Sequence, residues 1–299
     1  MTSFDGQVAI ITGAGRGIGR EHARYFAEQG ARVVVNDHGG DHDGSGSASD
    51  GDPAEEVASE IRAVGGEAIA NTDDVTDWAG AERMIATAIE AYGDLDILVN
   101  NAGILRDRTI VNMTEAEWDD VVNVHLKGHF VPTHHAAVHW RNAHKAGTSK
   151  RRFLVHTSST SGLFANPGQA NYGAAKSGVV TFSQIASKEL ARYDVTSNCI
   201  APAARTRLTL ASPGLEDIMA TNSQGFDEWD PANVSPLVAY LSSERCEFSG
   251  ETFFIQGGIV KRVDTYAFGD SVQQQERWTV DALADALAPQ APARSDPAG

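Results

Sequence analysis

Short apolar runs alternate along this chain with longer segments in which apolar residues recur every three or four positions. The runs are QVAIIT, ARVVVND, EAIANTDDV, DILVN, RRFLVHT, VTSNCIAP and GETFFIQGG. Most are too short for a helix, and Gly, Asn, Asp or Pro stands at their ends, which predicts buried strands. Between them, REHARYFAEQG, AEEVASEIRAVGG, WAGAERMIATAIEAYG and the Ala-rich GAAKSGVVTFSQIASKEL carry helical periodicity. Alternation of this length predicts an α/β protein with a doubly wound parallel sheet, Rossmann-like, in a single domain over residues 1–264. Residues 265–299 form an extension, and its end, APQAPARSDPAG from Ala288, is expected to be disordered.

Three stretches break the pattern. After Asp37, HGGDHDGSGSASDGDP has no periodicity and is expected to be a surface loop; its Asp spacing does not match a calcium-binding loop. The helical segment from Glu115 to Lys145 contains Pro132, which has no N–H for the carbonyl of Gly128, so a kink is expected there. AARTRLTLASPGLEDIMATNSQGFDEW, after the strand ending at Pro202, is expected to cover the substrate.

Composition narrows the function. An apolar share of 41% with Gly and Ala spread evenly describes a packed globule. A net charge of −16 opposes binding to nucleic acid, and the densest basic cluster, Lys150 to Arg152, is expected to be a solvated turn. The only cysteines, Cys199 and Cys246, are too few for a disulfide framework and are read as buried small hydrophobes in a reducing compartment. No stretch reads as a secretory signal or a membrane span, so a cytoplasmic location is expected. Six of the ten histidines lie between His125 and His144, and His135 and His139 have the spacing of metal ligands. With no HExxH glutamate or nearby third ligand, no metal site is expected and these histidines are placed on the surface or an interface.

The first strand runs straight into GAGRGIG and then a helix. Gly13, Gly17 and Gly19 let the backbone approach a pyrophosphate, and the helix start offers free N–H groups. The next strand ends in Asp37, eighteen residues beyond Gly19, where a carboxylate binds a ribose 2′-OH and repels a 2′-phosphate. NAD is therefore expected over NADP, although Arg16 in the glycine turn is a possible partner for that phosphate. Asp74 and Val75 close the third strand, and Asn101, Ala102 and Gly103 follow the fourth, at the end of the sheet where a nucleotide would lie.

Tyr172 and Lys176 stand four apart at the start of the Ala-rich helix and project from one face. An ammonium beside a phenol favours the phenolate and lowers the tyrosine pKa, which makes Tyr172 a candidate general acid/base. Ser159, thirteen positions upstream at the end of a strand, is placed to hydrogen-bond the same substrate oxygen. A secondary alcohol or ketone fits this trio. Taken alone, such a pair is more often a solvated one.

Together, TGAGRGIG, NNAG at Asn100 to Gly103, Asn123, Ser159 and YGAAK at Tyr172 to Lys176 resemble the short-chain dehydrogenase/reductase family over roughly Phe4 to Val260. The resemblance implies an NAD(P)-dependent oxidoreductase with Tyr172 as acid/base, Ser159 orienting the substrate oxygen, Lys176 binding ribose and lowering the tyrosine pKa, and Asn123 anchoring a proton-relay water. It also implies cofactor contacts at Gly13, Arg16, Gly17, Ile18 and Gly19, at Asp37, Asp74 and Val75, at Asn101, Ala102 and Gly103, at Tyr172 and Lys176, and at Thr206. Pro202-Ala203 departs from the family's frequent Pro-Gly, in a loop one residue shorter.

Within the family, VVVNDHGG with its Gly/Ser insert, LVNNAGILRDRT and TSSTSGLFANPGQANYGAAKSG look like the (3R)-hydroxyacyl-CoA dehydrogenase units of peroxisomal multifunctional enzymes. This implies NAD-dependent oxidation of a 3-hydroxyacyl-CoA by a homodimer or homotetramer. Arg205 and Arg207, at the mouth of the site on an acidic chain, are candidate partners for CoA phosphates; pairing with Glu216 or Asp217 is the alternative. A hydroxysteroid is the alternative substrate. Reduction of a 3-oxoacyl carrier protein is disfavoured by Asp37 and by the acidic surface, and a non-catalytic nucleotide-binding regulator by the intact Asn123, Ser159, Tyr172 and Lys176.

Overall fold

In the computed structural model, which describes residues 4–41, 43–44, 52–148, 150–210, 219–220 and 225–290, the apolar runs become the strands of one eight-stranded sheet. In chain order they are β1 (Val8–Thr12), β2 (Arg32–Asn36), β3 (Glu67–Asn71), β4 (Ile97–Asn100), β5 (Arg152–Thr157), β6 (Val195–Pro202), β7 (Thr252–Gln256) and β8 (Ile259–Val263). Spatially the order is β3-β2-β1-β4-β5-β6-β7-β8, parallel except for the last pair. Side chains alternate between faces, so Ala9, Ile11, Val33, Val35, Ile97 and Val99 enter one core cluster and Val8, Ile10, Val34 and Leu98 the other. Parallel strands buried on both faces need a helix on each side, and the intervening segments supply them.

The first five helices are α1 (Gly17–Glu28), α2 (Pro53–Ala63), α3 (Trp78–Tyr92), α4 (Glu115–Val122) and α5 (Gly128–Lys145). A five-residue α6 (Thr160–Phe164) and the long α7 (Ala170–Leu190) follow β5. By contacts, the chain divides into Met1–Val263 and Asp264–Gly299. The second unit holds a helix, Val280–Leu287, capped by the Thr279 hydroxyl, which accepts the Ala282 N–H at 3.2 Å. The final residues, 291–299, lie outside the described residues, as do residue 42 and residues 45–51 of the loop after Asp37 and residues 211–218 and 221–224.

Four expectations change. GETFFIQGG does not end the sheet, because Gly257-Gly258 turns the chain back into β8, antiparallel to β7. The break in the α4–α5 segment falls before Pro132: residues Asn123–Lys127 form a π turn in which the Gly128 N–H bonds the Asn123 carbonyl, and Pro132 lies within α5. The basic cluster is not a solvated turn, since Arg152 is buried and bonds the Asp96 carboxylate at 2.8 Å, with Lys150 on the same carboxylate. Parallel pairing of β4 with β5 brings the residues at their amino ends together, Asp96 and Arg152. Lastly, His125 and His129 are buried rather than on the surface or an interface, and the His129 ring stacks on that of His156 of β5. Cys199 and Cys246 are free and buried. Among the described residues, no helix is long and apolar enough to cross a membrane, and no group of three or more His, Cys, Asp or Glu could hold a metal ion.

Candidate active site

The strand order reverses between β1 and β4, and the chain leaves both strands at their carboxyl ends, which opens a crevice there. The glycine turn forms one wall. Gly13 and Gly17 adopt φ values of +62° and +54°, open to glycine at little cost. A Cβ on Gly13 would lie 2.7 Å from the Ala102 Cα, and one on Gly19 would lie 2.2 Å from the Gly13 carbonyl oxygen. No larger residue fits. Arg16 begins α1 in extended conformation, with neither a side-chain cap nor an acidic residue in the first turn. The first N–H groups of α1 thus lack the usual side-chain acceptor, the arrangement that suits a pyrophosphate. Ile18 packs on the core beneath.

Asp37 follows β2. Its Oδ2 accepts the Gly15 N–H and its Oδ1 the Gly39 N–H, each at 2.9 Å, so the carboxylate is fixed beside the glycine turn. Asn101 closes the floor. Its N–H and that of Ala102 bond the Thr12 hydroxyl at 2.9 and 3.1 Å, and its side-chain amide donates to the carbonyls of Thr12 and Gly13. Asp74 caps the turn after β3 by accepting the Thr76 N–H at 2.8 Å, and Val75 is buried beside it, against Gly128. From β6 the chain brings Thr206 over Gly17, with its methyl 3.5 Å from where a Gly17 Cβ would stand. Glycine turn, acid, asparagine floor and threonine together line a cradle that could hold a dinucleotide.

The chemical groups converge on the same crevice. Ser159 begins α6, its hydroxyl accepting the Ser161 N–H at 3.2 Å, and it hydrogen-bonds the Tyr172 phenol from across the turn. Lys176 lies one helical turn beyond Tyr172. Its Nζ stands 5.7 Å from the Tyr172 ring centroid and donates to the Thr157 carbonyl at 2.6 Å. Lys176 is 2% exposed, and burial brings its pKa down to about 7. Burial raises the Tyr172 pKa above its ordinary value, against the downward pull of the Ser159 hydrogen bond and with a further push from the Asp107 carboxylate. The net direction is opposite to the one expected from Lys176 alone. Desolvation of the phenolate is the largest influence on it.

Asn123 opens the π turn, and its backbone carbonyl takes the Gly128 N–H. Arg205, expected at the substrate mouth, is spoken for: it forks onto the Asp227 carboxylate and donates to the Met219 carbonyl at 2.9 Å. Arg207 is exposed and reaches toward Asp41 at 3.8 Å and toward Arg16, at the nucleotide end of the crevice. Sequence reasoning passed over Thr12, the anchor of the Asn101 loop, although it stands first in TGAGRGIG. It also passed over Asn171, whose amide bonds the carbonyls of Arg106 and Glu117 and so ties the start of α7 to the segment after β4.

Comparison with known proteins now decides the family. The short chain dehydrogenase family matches residues 7–211. The chain belongs to that family. It is accordingly an oxidoreductase acting on CH–OH groups, in a family whose members bind a nicotinamide dinucleotide. It is 46% identical over 247 residues to the peroxisomal multifunctional enzyme type 2 of Drosophila melanogaster, covering 83% of this chain but only 38% of that protein. The hydroxyacyl-CoA dehydrogenase ChsB1 of Mycobacterium tuberculosis is 40% identical over 88% of this chain and 81% of its own length. A crystal structure of a short chain dehydrogenase from Mycobacterium avium superposes with a TM-score of 0.84 at 44% identity, covering 95% of this chain and 94% of its own.

Proposed function

We propose that this dehydrogenase oxidises (3R)-3-hydroxyacyl-CoA to 3-oxoacyl-CoA with NAD. The convergence of Ser159, Tyr172 and Lys176 on the crevice that holds Asp37 carries the reading. The acyl-CoA substrate is supported by the hydroxyacyl-CoA dehydrogenase relative, which the chain matches over most of both lengths. A bound dinucleotide supplies the acceptor for the hydride of the carbinol carbon. The protein supplies the rest. Ser159 donates a hydrogen bond to the substrate oxygen and fixes it against Tyr172. Tyr172 removes the hydroxyl proton as the ketone forms, and Lys176, which gains or loses its proton near neutral pH, favours the transient phenolate. The Asn123 carbonyl anchors the water through which that proton leaves.

Asp37, held by two backbone N–H groups, faces the ribose hydroxyls and disfavours a 2′-phosphate. The contacts with cofactor are those of Gly13, Arg16, Gly17, Ile18 and Gly19 at the pyrophosphate turn, Asp74 and Val75 toward the adenine, Asn101 to Gly103 on the floor and Thr206 above. We place the enzyme in the cytoplasm as a dimer or tetramer, with residues 1–264 as its catalytic domain. NAD reduction by (3R)-3-hydroxybutyryl-CoA tests the proposal. Turnover that vanishes in Tyr172→Phe while NAD still binds supports it, and no turnover with any secondary alcohol contradicts it.

A further inference from the structure

Behind the crevice, the π turn carries a side chain that the chemistry above does not use. His125 is 2% exposed, and the extra residue of the turn aims it at the loop after β4. Its Nε2 lies 2.7 Å from the Ile104 carbonyl oxygen and 3.1 Å from the Ile104 nitrogen. We assign the proton to Nε2, donating across the shorter contact to the Ile104 carbonyl; the other tautomer would accept the Ile104 N–H but bury an unpaired N–H at Nδ1. In the same place, its ring meets the Tyr172 ring at right angles, 87° with centroids 5.0 Å apart. A Cβ on Gly103 would fall 2.3 Å from its Cε1, so Gly103 leaves the room that the imidazole fills. Ile104 in turn packs beside Gly44 of the loop after β2, and Arg106 donates to the Asp43 carbonyl of that loop at 2.7 Å.

We propose that His125 is a positioning residue that couples cofactor binding to the placement of Tyr172, gripping the Gly103-Ile104 backbone with Nε2 and packing its ring against the phenol. This rests on the proposed function, in that the floor it grips is the nucleotide floor. One imidazole thus serves both neighbours. Burial and the nearby Lys176 keep it neutral, which preserves the single N–H donor the grip requires.

Two substitutions separate the two contacts. His125→Gln retains an amide donor for the Ile104 carbonyl but loses the ring, and His125→Phe retains a ring against Tyr172 but loses the donor. NAD affinity by titration calorimetry is expected to fall about tenfold or more in His125→Phe and to stay within about threefold of the native value in His125→Gln. Turnover at saturating NAD is expected to fall about tenfold in His125→Gln. A double-mutant cycle keeps the test open if either variant folds poorly. Gly103→Ala should weaken NAD binding in the native chain and add little in a His125→Ala background, where the clash has been removed. Equal Gly103→Ala penalties in both backgrounds, or identical NAD affinity and turnover in the Gln and Phe variants, would overturn the coupling. If the native chain bound no dinucleotide, the proposed function would fail with it, whereas tight binding with an additive cycle sinks only this inference.

Discussion

The Nζ of Lys176 stands 5.7 Å from the ring centroid of Tyr172 while donating to the Thr157 carbonyl, so one buried amine is shared between a strand end and the Tyr172 ring. Its pKa of about 7, set by burial, makes a stability prediction with a definite sign. Between pH 7 and the unfolded value of 10.5, the unfolded chain holds a proton that the folded chain has lost, so this group's contribution rises with pH and is lowest below pH 7. Lys176→Met removes the term. Relative to that variant, the native protein is expected to lose about 2 kcal/mol of stability between pH 9 and pH 7 in denaturant titrations. A constant difference would show that Lys176 titrates normally.

Tyr172→Phe removes the proton-transfer group and keeps the ring that packs on His125. Turnover is expected to fall about a hundredfold or more, with NAD affinity retained. Near-native turnover would exclude Tyr172 as the acid/base.

Asp37→Ala deletes the carboxylate held by the Gly15 and Gly39 N–H groups, leaving Arg16 and Arg207 near the same end of the crevice. Competition binding is expected to shift toward NADP, by about tenfold or more relative to NAD. An unchanged ratio would refute the role of Asp37 in choosing the cofactor.

The two arginines once grouped as partners for CoA phosphates now separate. Arg205 is tied to Asp227, so Arg205→Ser is expected to lower Tm and to affect a CoA ester and its pantetheine-truncated analogue alike. Arg207 is exposed, and Arg207→Ser leaves Tm within a degree or two while testing whether phosphate is bound there. A KM increase confined to the full CoA ester would assign it to the CoA phosphates.

Much of this was legible because it is local. An apolar run of strand length, a glycine turn and an i,i+4 pair each act within a few residues, and β1 with α1 and α7 with its Tyr172-Lys176 pair follow from such signals. The rest depends on what the sheet brings together. Arg152 is buried because β5 lies beside β4 and its Asp96, and Arg205 is held by Asp227, twenty-two residues away. The direction of the Tyr172 pKa also depends on the fold, which buries the phenol and brings the Asp107 carboxylate near it. β8 had a local signal, the Gly257-Gly258 hairpin, that went unread. His125 had none beyond its place in a helical segment, since its burial against the Gly103-Ile104 loop comes only with the fold.

The proposed substrate is distinguished from its rivals by following NAD reduction with matched (3R)- and (3S)-3-hydroxyacyl-CoA esters and a panel of hydroxysteroids. The (3R) ester is expected to give the highest kcat/KM, about a hundredfold or more above its (3S) counterpart, because Ser159 and Tyr172 fix the oxygen on one side of the carbinol carbon. A hydroxysteroid or the (3S) ester turned over faster than every (3R) ester would contradict it.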